Sequence, residues 1–291
     1  MIDFERYCAA TEAEIAGLAE LLRGADLGTR VPTCPGWTLA KLVKHLGIVH
    51  RRTEYIVRNR ATGPVDQRSI DAGLPPAEAE YPAWLAAGAA PMVAALRAAG
   101  PDAAVWAWGP DQHARFWARR MLHETTVHRA DAEFALGREP VIDADVAADG
   151  IDEVLGMMLA VPRIRERLAG LGRDGETVHL HATGHGADHG AGHATGHGAD
   201  HGAGHGADHG VGHATGHGAG HGADHGGEWM ITLAGGGMTW EHGHGKGSAA
   251  LQGPAALLLL FVYGRVPAGD ARLTAFGDHE LLIAWQENAA L

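Results

Sequence analysis

Cysteine and lysine are scarce in this chain of 291 residues. Two cysteines, Cys8 and Cys34, are too few for a disulfide framework. Of the 23 basic residues only three are lysine, and the formal net charge is −12 at pH 7. Nucleic acid phosphates require a basic protein face, so this composition argues against a nucleic acid partner.

Long apolar segments are also missing. The longest apolar run, residues 255–262, is far too short to span a bilayer. The first residues do not show the basic and then apolar pattern of a secretory leader. We therefore expect a soluble cytoplasmic protein in a reducing compartment, with no membrane partner.

Four amphipathic segments occupy the first half of the chain. Their apolar residues recur at helical spacing, and Thr38 is well suited to cap the second segment. Four helices of about 20 residues joined by loops favour an antiparallel four-helix bundle. We assign this bundle to residues 1–140, with helices predicted over 3–23, 39–60, 77–99 and 111–136.

The pattern changes after a predicted hinge at residues 137–140. Residues 143–171 are still helical in pattern, but the segments that follow alternate like strands. We therefore predict a smaller α+β domain over residues 141–291. Its predicted elements are strands over 177–181, 228–233, 237–241 and 273–276, and helices over 254–263 and 278–288.

A histidine- and glycine-rich tract interrupts this second domain at residues 184–227. From His181 to His225 a histidine stands at every fourth position, twelve in all. Nearly every second residue is glycine, which costs about 1 kcal/mol per helical site relative to alanine, so we expect a disordered loop. Its imidazoles suit weak binding of Ni²⁺, Zn²⁺ or Cu²⁺. A neutral repeat expansion and a role in metal storage or delivery both fit this pattern.

The fourth predicted helix carries two metal-ligand residue types on its apolar side. Glu124 and His128 share that side with Trp117. A core-facing carboxylate is costly unless something pairs with it. Glu and His one turn apart can reach one point, where a third ligand would complete an open divalent-metal site. A metalloprotease needs H-E-x-x-H, whereas His123 and His128 lie five apart and about 140° around the axis, which excludes that class.

Two questions about this site remain open from spacing alone. Arg120 lies one turn before Glu124, so an ion pair could satisfy the carboxylate without a metal. His45 and His50 both flank the apolar side of the second helix. Either could be the third ligand, or a hydrogen-bonded core histidine.

Several motifs resemble the mycothiol-dependent maleylpyruvate isomerase family. In the first half they are Pro32-Thr33-Cys34-Pro35-Gly36-Trp37-Thr38, Leu42-Val43-Lys44-His45-Leu46-Gly47 and the segment H-E-T-T-V-H-R-A-D-A-E at 123–133. In the second half they are residues 177–183, Glu228-Trp229, Gly253-Pro254, Gly264-Arg265 and Gly277-Asp278. The resemblance implies a DinB-like four-helix bundle followed by the C-terminal domain of the family.

The resemblance also supplies a ligand set. Carried over to this sequence, the metal ligands are His45, Glu124 and His128, which leaves His50 as a core or neighbouring residue. Two imidazoles and one carboxylate suit Zn²⁺, with a fourth position open to water or a thiol. A zinc-bound thiol is deprotonated, and the resemblance implies that this thiol is mycothiol.

The reaction so implied is isomerisation of, or S-transfer to, a small electrophile. Thiolate addition to a double bond, rotation and release would isomerise it, whereas addition without release would transfer sulfur. The family uses an arginine of its second domain for the anionic substrate, and Arg265 is the best match and therefore the catalytic candidate. Cys34 lies between two prolines and is expected to fix a turn. The alternative is a metal-handling or metal-sensing protein with a structural bundle site and a metal-buffering tract.

Overall fold

A computed structural model describes residues 2–184 and 227–290. The predicted disordered loop, 184–227, lies outside these residues except for its two end positions. The described chain has a helical first half and a second half in which helices pack on a sheet. The predicted α+β class with an N-terminal helical bundle is thereby confirmed. Within the described ranges, no helix combines the length and the hydropathy needed to cross a membrane.

The first half is a bundle of four helices: α1 (Phe4–Leu21), α2 (Leu39–Arg58), α3 (Tyr81–Ala99) and α4 (Ala114–Ala135). In this bundle α1 and α2 both contact α3 and α4. The Asp3 side chain caps α1 by accepting a hydrogen bond from Arg6 N at 2.8 Å, and Thr38 caps α2. The third and fourth helices begin later than predicted, because a 3-10 turn precedes α3 and an extended segment that pairs Ala104 with His113 precedes α4.

The second half combines helices with a five-stranded sheet. The elements are α5 (Ala144–Ala160), α6 (Pro162–Ala169), β1 (Thr177–Thr183), β2 (Glu228–Ala234), β3 (Gly237–His242), β4 (Ala249–Pro254), α7 (Ala255–Val262), β5 (Thr274–Gly277) and α8 (His279–Ala289). The strand order in the sheet is β3-β2-β1-β4-β5. β1 and β4 are parallel, and the other neighbouring pairs are antiparallel.

Two details of this half differ from the sequence-based expectation. The single helix predicted over 143–171 is two helices, because Pro162 forces the preceding Val161 into an extended conformation (φ −98°, ψ 106°). The strand β4 was not predicted, since its alanine and glycine residues have low strand propensity. This strand lies between β1 and β5 and leads directly into α7, which packs against α5, β1 and β4.

Among the bundle helices, α4 buries the largest number of polar side chains. It contacts α1, α2 and α3, and it also contacts α5 of the second half. Side chains all around α4 are therefore buried, including Arg120, His123, Thr125 and Asp131. Buried polar groups of this kind require partners, and these partners define the site described below.

Close packing of α2 on α3 depends on Gly47. A Cβ at this position would lie 2.0 Å from the ring of the buried Trp84. We expect Gly47→Ala to lower the free energy of unfolding by about 1–3 kcal/mol, because the extra methyl group must displace an indole. Exposed Gly156 in α5 is the matched control: nothing lies within 4 Å of its added Cβ, so Gly156→Ala should be neutral or stabilise by up to about 1 kcal/mol. Urea unfolding of both variants tests this packing, and equal tolerance at the two positions would contradict it.

Candidate metal centre

His45 on α2 and Glu124 and His128 on α4 converge at one point in the bundle. Nε2 of His45 lies 2.8 Å from Oε1 of Glu124, and Nε2 of His128 lies 3.5 Å from the same oxygen. One ligand atom from each side chain lies within 4.8 Å of the other two. Two imidazole nitrogens and a carboxylate oxygen are the donors that Zn²⁺ binds in open sites. The donor set and its convergence therefore fit a divalent transition metal.

The second oxygen of Glu124 is held by an arginine. Nη2 of Arg120 donates to Oε2 of Glu124 at 2.9 Å, and Nη1 donates to Glu153 at 2.6 Å. Arg120 is almost fully buried, so these two carboxylates neutralise a cation within the core. The ion pair and the metal-ligand arrangement are thus compatible, since they use different oxygens of Glu124.

His128 is oriented by its other ring nitrogen. Nδ1 of His128 lies 2.8 Å from Oδ2 of the fully buried Asp131, which leaves Nε2 directed at Glu124. A carboxylate bound to the distal nitrogen of a ligand histidine fixes the ring and its tautomer. The Trp37 ring stacks on His128 at 5.8 Å between centroids and lies 5.1 Å from the His45 ring, forming an apolar wall beside both ligands.

Burial and neighbouring charges shift the pKa values of His128 and Glu124 in opposite directions. Burial favours a low pKa for His128, but its contacts with Asp131, Cys34 and Glu124 outweigh this and raise the pKa well above its usual value. Burial also disfavours ionised Glu124, yet the two histidines and Arg120 hold the pKa of this carboxyl well below its usual range. A divalent cation competes with the imidazole proton, so metal binding at such a site releases protons.

Asp131 lies at this centre, and sequence reasoning did not identify it as a candidate. In addition to its contact with His128, Asp131 accepts a hydrogen bond from Thr33 Oγ1 at 2.5 Å and contacts Cys34 Sγ at 3.2 Å. Arg265 donates to both of its carboxylate oxygens at 3.0 Å. The available signal was its position three residues after His128, which places both side chains on the same side of α4.

Arg265 connects the sheet-containing half to this centre. It follows α7, and its guanidinium forms a two-pronged ion pair with Asp131 while Nη1 donates to the Tyr263 carbonyl at 2.8 Å. The side chain is 18% exposed and its Nη2 lies 3.6 Å from Cys34 Sγ. The predicted catalytic arginine therefore does not contact His128 directly, and Asp131 bridges the two side chains.

The remaining histidines of α2 and α4 have other partners. His50 is fully buried, and its Nε2 lies 3.0 Å from Thr125 Oγ1. Burial lowers the pKa of His50 to about 3, which keeps the ring neutral. His123 faces away from His128 and contacts Asp149 at 2.8 Å. His45 is therefore the histidine of α2 that the fold brings to Glu124.

Solved structures of one enzyme share this fold. The crystal structure of the mycothiol-dependent maleylpyruvate isomerase matches with a TM-score of 0.51 and 12% sequence identity, over 94% of this chain and 93% of that chain. A structure of its histidine-to-alanine mutant has a TM-score of 0.52 with the same identity and coverage. No curated protein matches the chain. At this identity the structural likeness shows the fold alone.

Family models match both halves of the sequence. The model for the mycothiol maleylpyruvate isomerase N-terminal domain matches residues 8–133, which include His45, Glu124 and His128. The model for the MDMPI C-terminal domain matches residues 145–283, which include Arg265. Because these two matches cover most of its length, the chain belongs to the mycothiol maleylpyruvate isomerase family.

Proposed function

We propose that this protein is a metal-dependent isomerase that uses mycothiol to convert maleylpyruvate, or a similar small anionic electrophile, from cis to trans. The observation that carries this proposal is the convergence of His45, Glu124 and His128 on one point, with Arg265 linked to it through Asp131. The named activity of the structural relative and the family membership support the same assignment.

In this proposal His45, Glu124 and His128 hold Zn²⁺ through two imidazole nitrogens and one carboxylate oxygen. Bound there, Zn²⁺ would lower the pKa of a thiol that reaches it and so favour the thiolate. Arg120 keeps Glu124 ionised and fixes its second oxygen. Trp37 shields one side of the ligand histidines from water, which strengthens the electrostatic interactions there.

The proposed reaction is a reversible addition. The thiolate sulfur forms a bond to one carbon of the electrophilic double bond, and the electron pair moves to the conjugated carbonyl oxygen. The former double bond is now a carbon–carbon single bond, about which the adduct can rotate. Cleavage of the carbon–sulfur bond then expels the thiolate and regenerates the double bond as the trans isomer. We assign Arg265 to the anionic end of the substrate. Asp131 and the Tyr263 carbonyl engage three of its five N–H donors, which leaves one donor on Nη1 and one on Nη2 for a carboxylate.

S-transfer is the second outcome of the same addition, when a proton traps the adduct before the thiolate leaves. Mixing zinc-loaded protein with mycothiol and maleylpyruvate separates these outcomes. We expect the cis isomer to disappear without net loss of thiol; consumption of one thiol per substrate would assign S-transfer instead. If neither occurs while zinc and thiol are bound, the isomerase assignment for maleylpyruvate is wrong, whereas S-transfer to another electrophile is not contradicted.

We also propose the division into residues 1–140 and 141–291, with the 184–227 insertion in the second domain. The Arg265–Asp131 ion pair would then join the two domains at the metal centre. A cytoplasmic location stays a prediction; both cysteines are free thiols, as a reducing compartment would leave them.

A further inference from the structure

A second group of histidines lies on the sheet, away from the bundle. Nε2 of His179 on β1 lies 3.0 Å from Oε2 of Glu228 on β2, and Nδ1 of His244 lies 2.7 Å from the same oxygen. One ligand atom from each of the three lies within 4.8 Å of the other two. The His181 ring is adjacent, with its centroid 6.0 Å from that of His179 and 6.5 Å from that of His244.

Strand geometry explains how these side chains meet. Residues two apart on a strand share a face, so His179 and His181 lie on the same side of β1. His181 is the direct antiparallel partner of Glu228, which puts the carboxylate on that side too. Their face is opposite to the one on which Trp229 is buried.

The segment between β3 and β4, residues 243–248, closes over this face. Gly247 passes so near β1 that an added Cβ would lie 3.2 Å from the His179 Cβ and 2.5 Å from the Ala249 carbonyl oxygen. Any larger residue would push the segment away from the sheet. This close approach buries His179 and carries His244, which is 77% exposed, to Glu228.

The donor atoms of this group converge on one oxygen of Glu228. Two imidazole nitrogens face that oxygen, and the ring of His181 lies beside them. The bundle centre has the same pattern, with two imidazole nitrogens directed at one carboxylate oxygen.

We propose that His179, Glu228 and His244 form a second site for a divalent transition metal of the Zn²⁺ and Ni²⁺ class. Imidazole and carboxylate donors favour these metals over Mg²⁺ and Ca²⁺, which prefer oxygen ligands only. The His181 ring lies beside these three side chains, and the exposed His244 makes the group accessible from solvent. The described chain stops at 184 and resumes at 227, close in sequence to His181 and Glu228, so this site lies where the histidine tract joins the sheet.

The test must distinguish metal bound at this site from metal bound by the histidine tract or by the bundle centre. We choose a full-length protein in which the eleven histidines from 185 to 225 are replaced with asparagine. It is loaded with Zn²⁺, freed of excess metal by gel filtration, and analysed for zinc per chain. We expect two equivalents, of which His45→Ala removes one and His244→Ala or Glu228→Gln removes the other.

His279→Ala is the matched control, because this histidine is exposed at the start of α8 and belongs to neither metal-ligand group. It should leave the zinc content unchanged. Circular dichroism of His244→Ala checks folding, which the exposed position of His244 should preserve. A further readout uses His45→Ala in the same background: Zn²⁺ should raise its Tm, and the rise should vanish when His244→Ala is added. Unchanged zinc content in both His244→Ala and Glu228→Gln would overturn the proposal.

Discussion

Removing a single ligand of the bundle centre is expected to abolish tight zinc binding and thiol-dependent turnover together. Structural zinc sites with four protein ligands bind the metal with a free energy of roughly 10–16 kcal/mol. Divided equally among the ligands, this free energy is about 3 kcal/mol per ligand. Loss of one share lowers the affinity by a factor on the order of 100. We therefore expect His45→Ala, Glu124→Gln and His128→Ala each to weaken zinc binding by at least about 100-fold.

Glu124→Gln is the most informative of the three variants. Glutamine retains the length of the side chain, and its amide oxygen can still accept the hydrogen bond from Arg120. It removes the negative charge that Arg120 and the metal would share. Zinc affinity measured by chelator competition should fall by that factor, while the circular dichroism spectrum keeps its helical content.

The control for these variants is His113→Ala. His113 precedes α4, is partly exposed, and contacts Asp111 rather than any residue of the centre. Zinc affinity and turnover should match those of the parent protein. If His128→Ala kept parental zinc affinity while the tract histidines were absent, the three-ligand model would be wrong. If zinc were lost but turnover were kept, the metal would have no part in the reaction.

The helices of the bundle could be predicted because each shows an apolar side at helical spacing. The same spacing predicted that Glu124 and His128 face the core. It did not show whether His45 or His50 is the third ligand, because both flank the apolar side of α2. The answer depends on the rotation of that helix about its axis relative to α4. The family resemblance favoured His45, and the fold places this residue beside Glu124.

Contacts between residues that are far apart in the sequence were harder to predict. Trp37 comes from a loop, and its stacking on His128 depends on the path of that loop over α4. The strand β4 lacks the residues typical of strands and is held by pairing with β1 on one side and β5 on the other. The ion pair of Arg265 with Asp131 joins residues 134 positions apart, which no local pattern reports.

Asp131→Asn is expected to destabilise the fold strongly. Asp131 is fully buried and is the shared anion for Arg265 and His128, and burial would raise its pKa if these two cations did not hold it well below its usual range. Breaking a buried ion pair by removing one partner costs about 3–5 kcal/mol. Urea unfolding of the metal-free protein should show a loss in that range.

The same variant should also weaken zinc binding, because His128 loses the carboxylate that orients its ring. Replacing such an outer partner typically lowers metal affinity about 10–100-fold. A merely structural role for Asp131 would lower the free energy of unfolding and leave zinc affinity unchanged in the folded protein. Zinc affinity measured well below the denaturation midpoint therefore separates a positioning residue from a structural one.

Arg265→Gln provides the matched comparison, since it breaks the ion pair but leaves the Asp131–His128 contact in place. We expect this variant to lose stability and to keep zinc affinity within a few-fold of the parent. If Arg265 also binds the anionic substrate, the KM for that substrate should rise while thiol binding stays the same. The Asp131→Asn and Arg265→Gln pair should be non-additive in stability by about 0.5–3 kcal/mol, as expected for residues in direct contact. Strict additivity would mean that the ion pair does not form in solution, and the proposed connection between the two halves of the molecule would then fail.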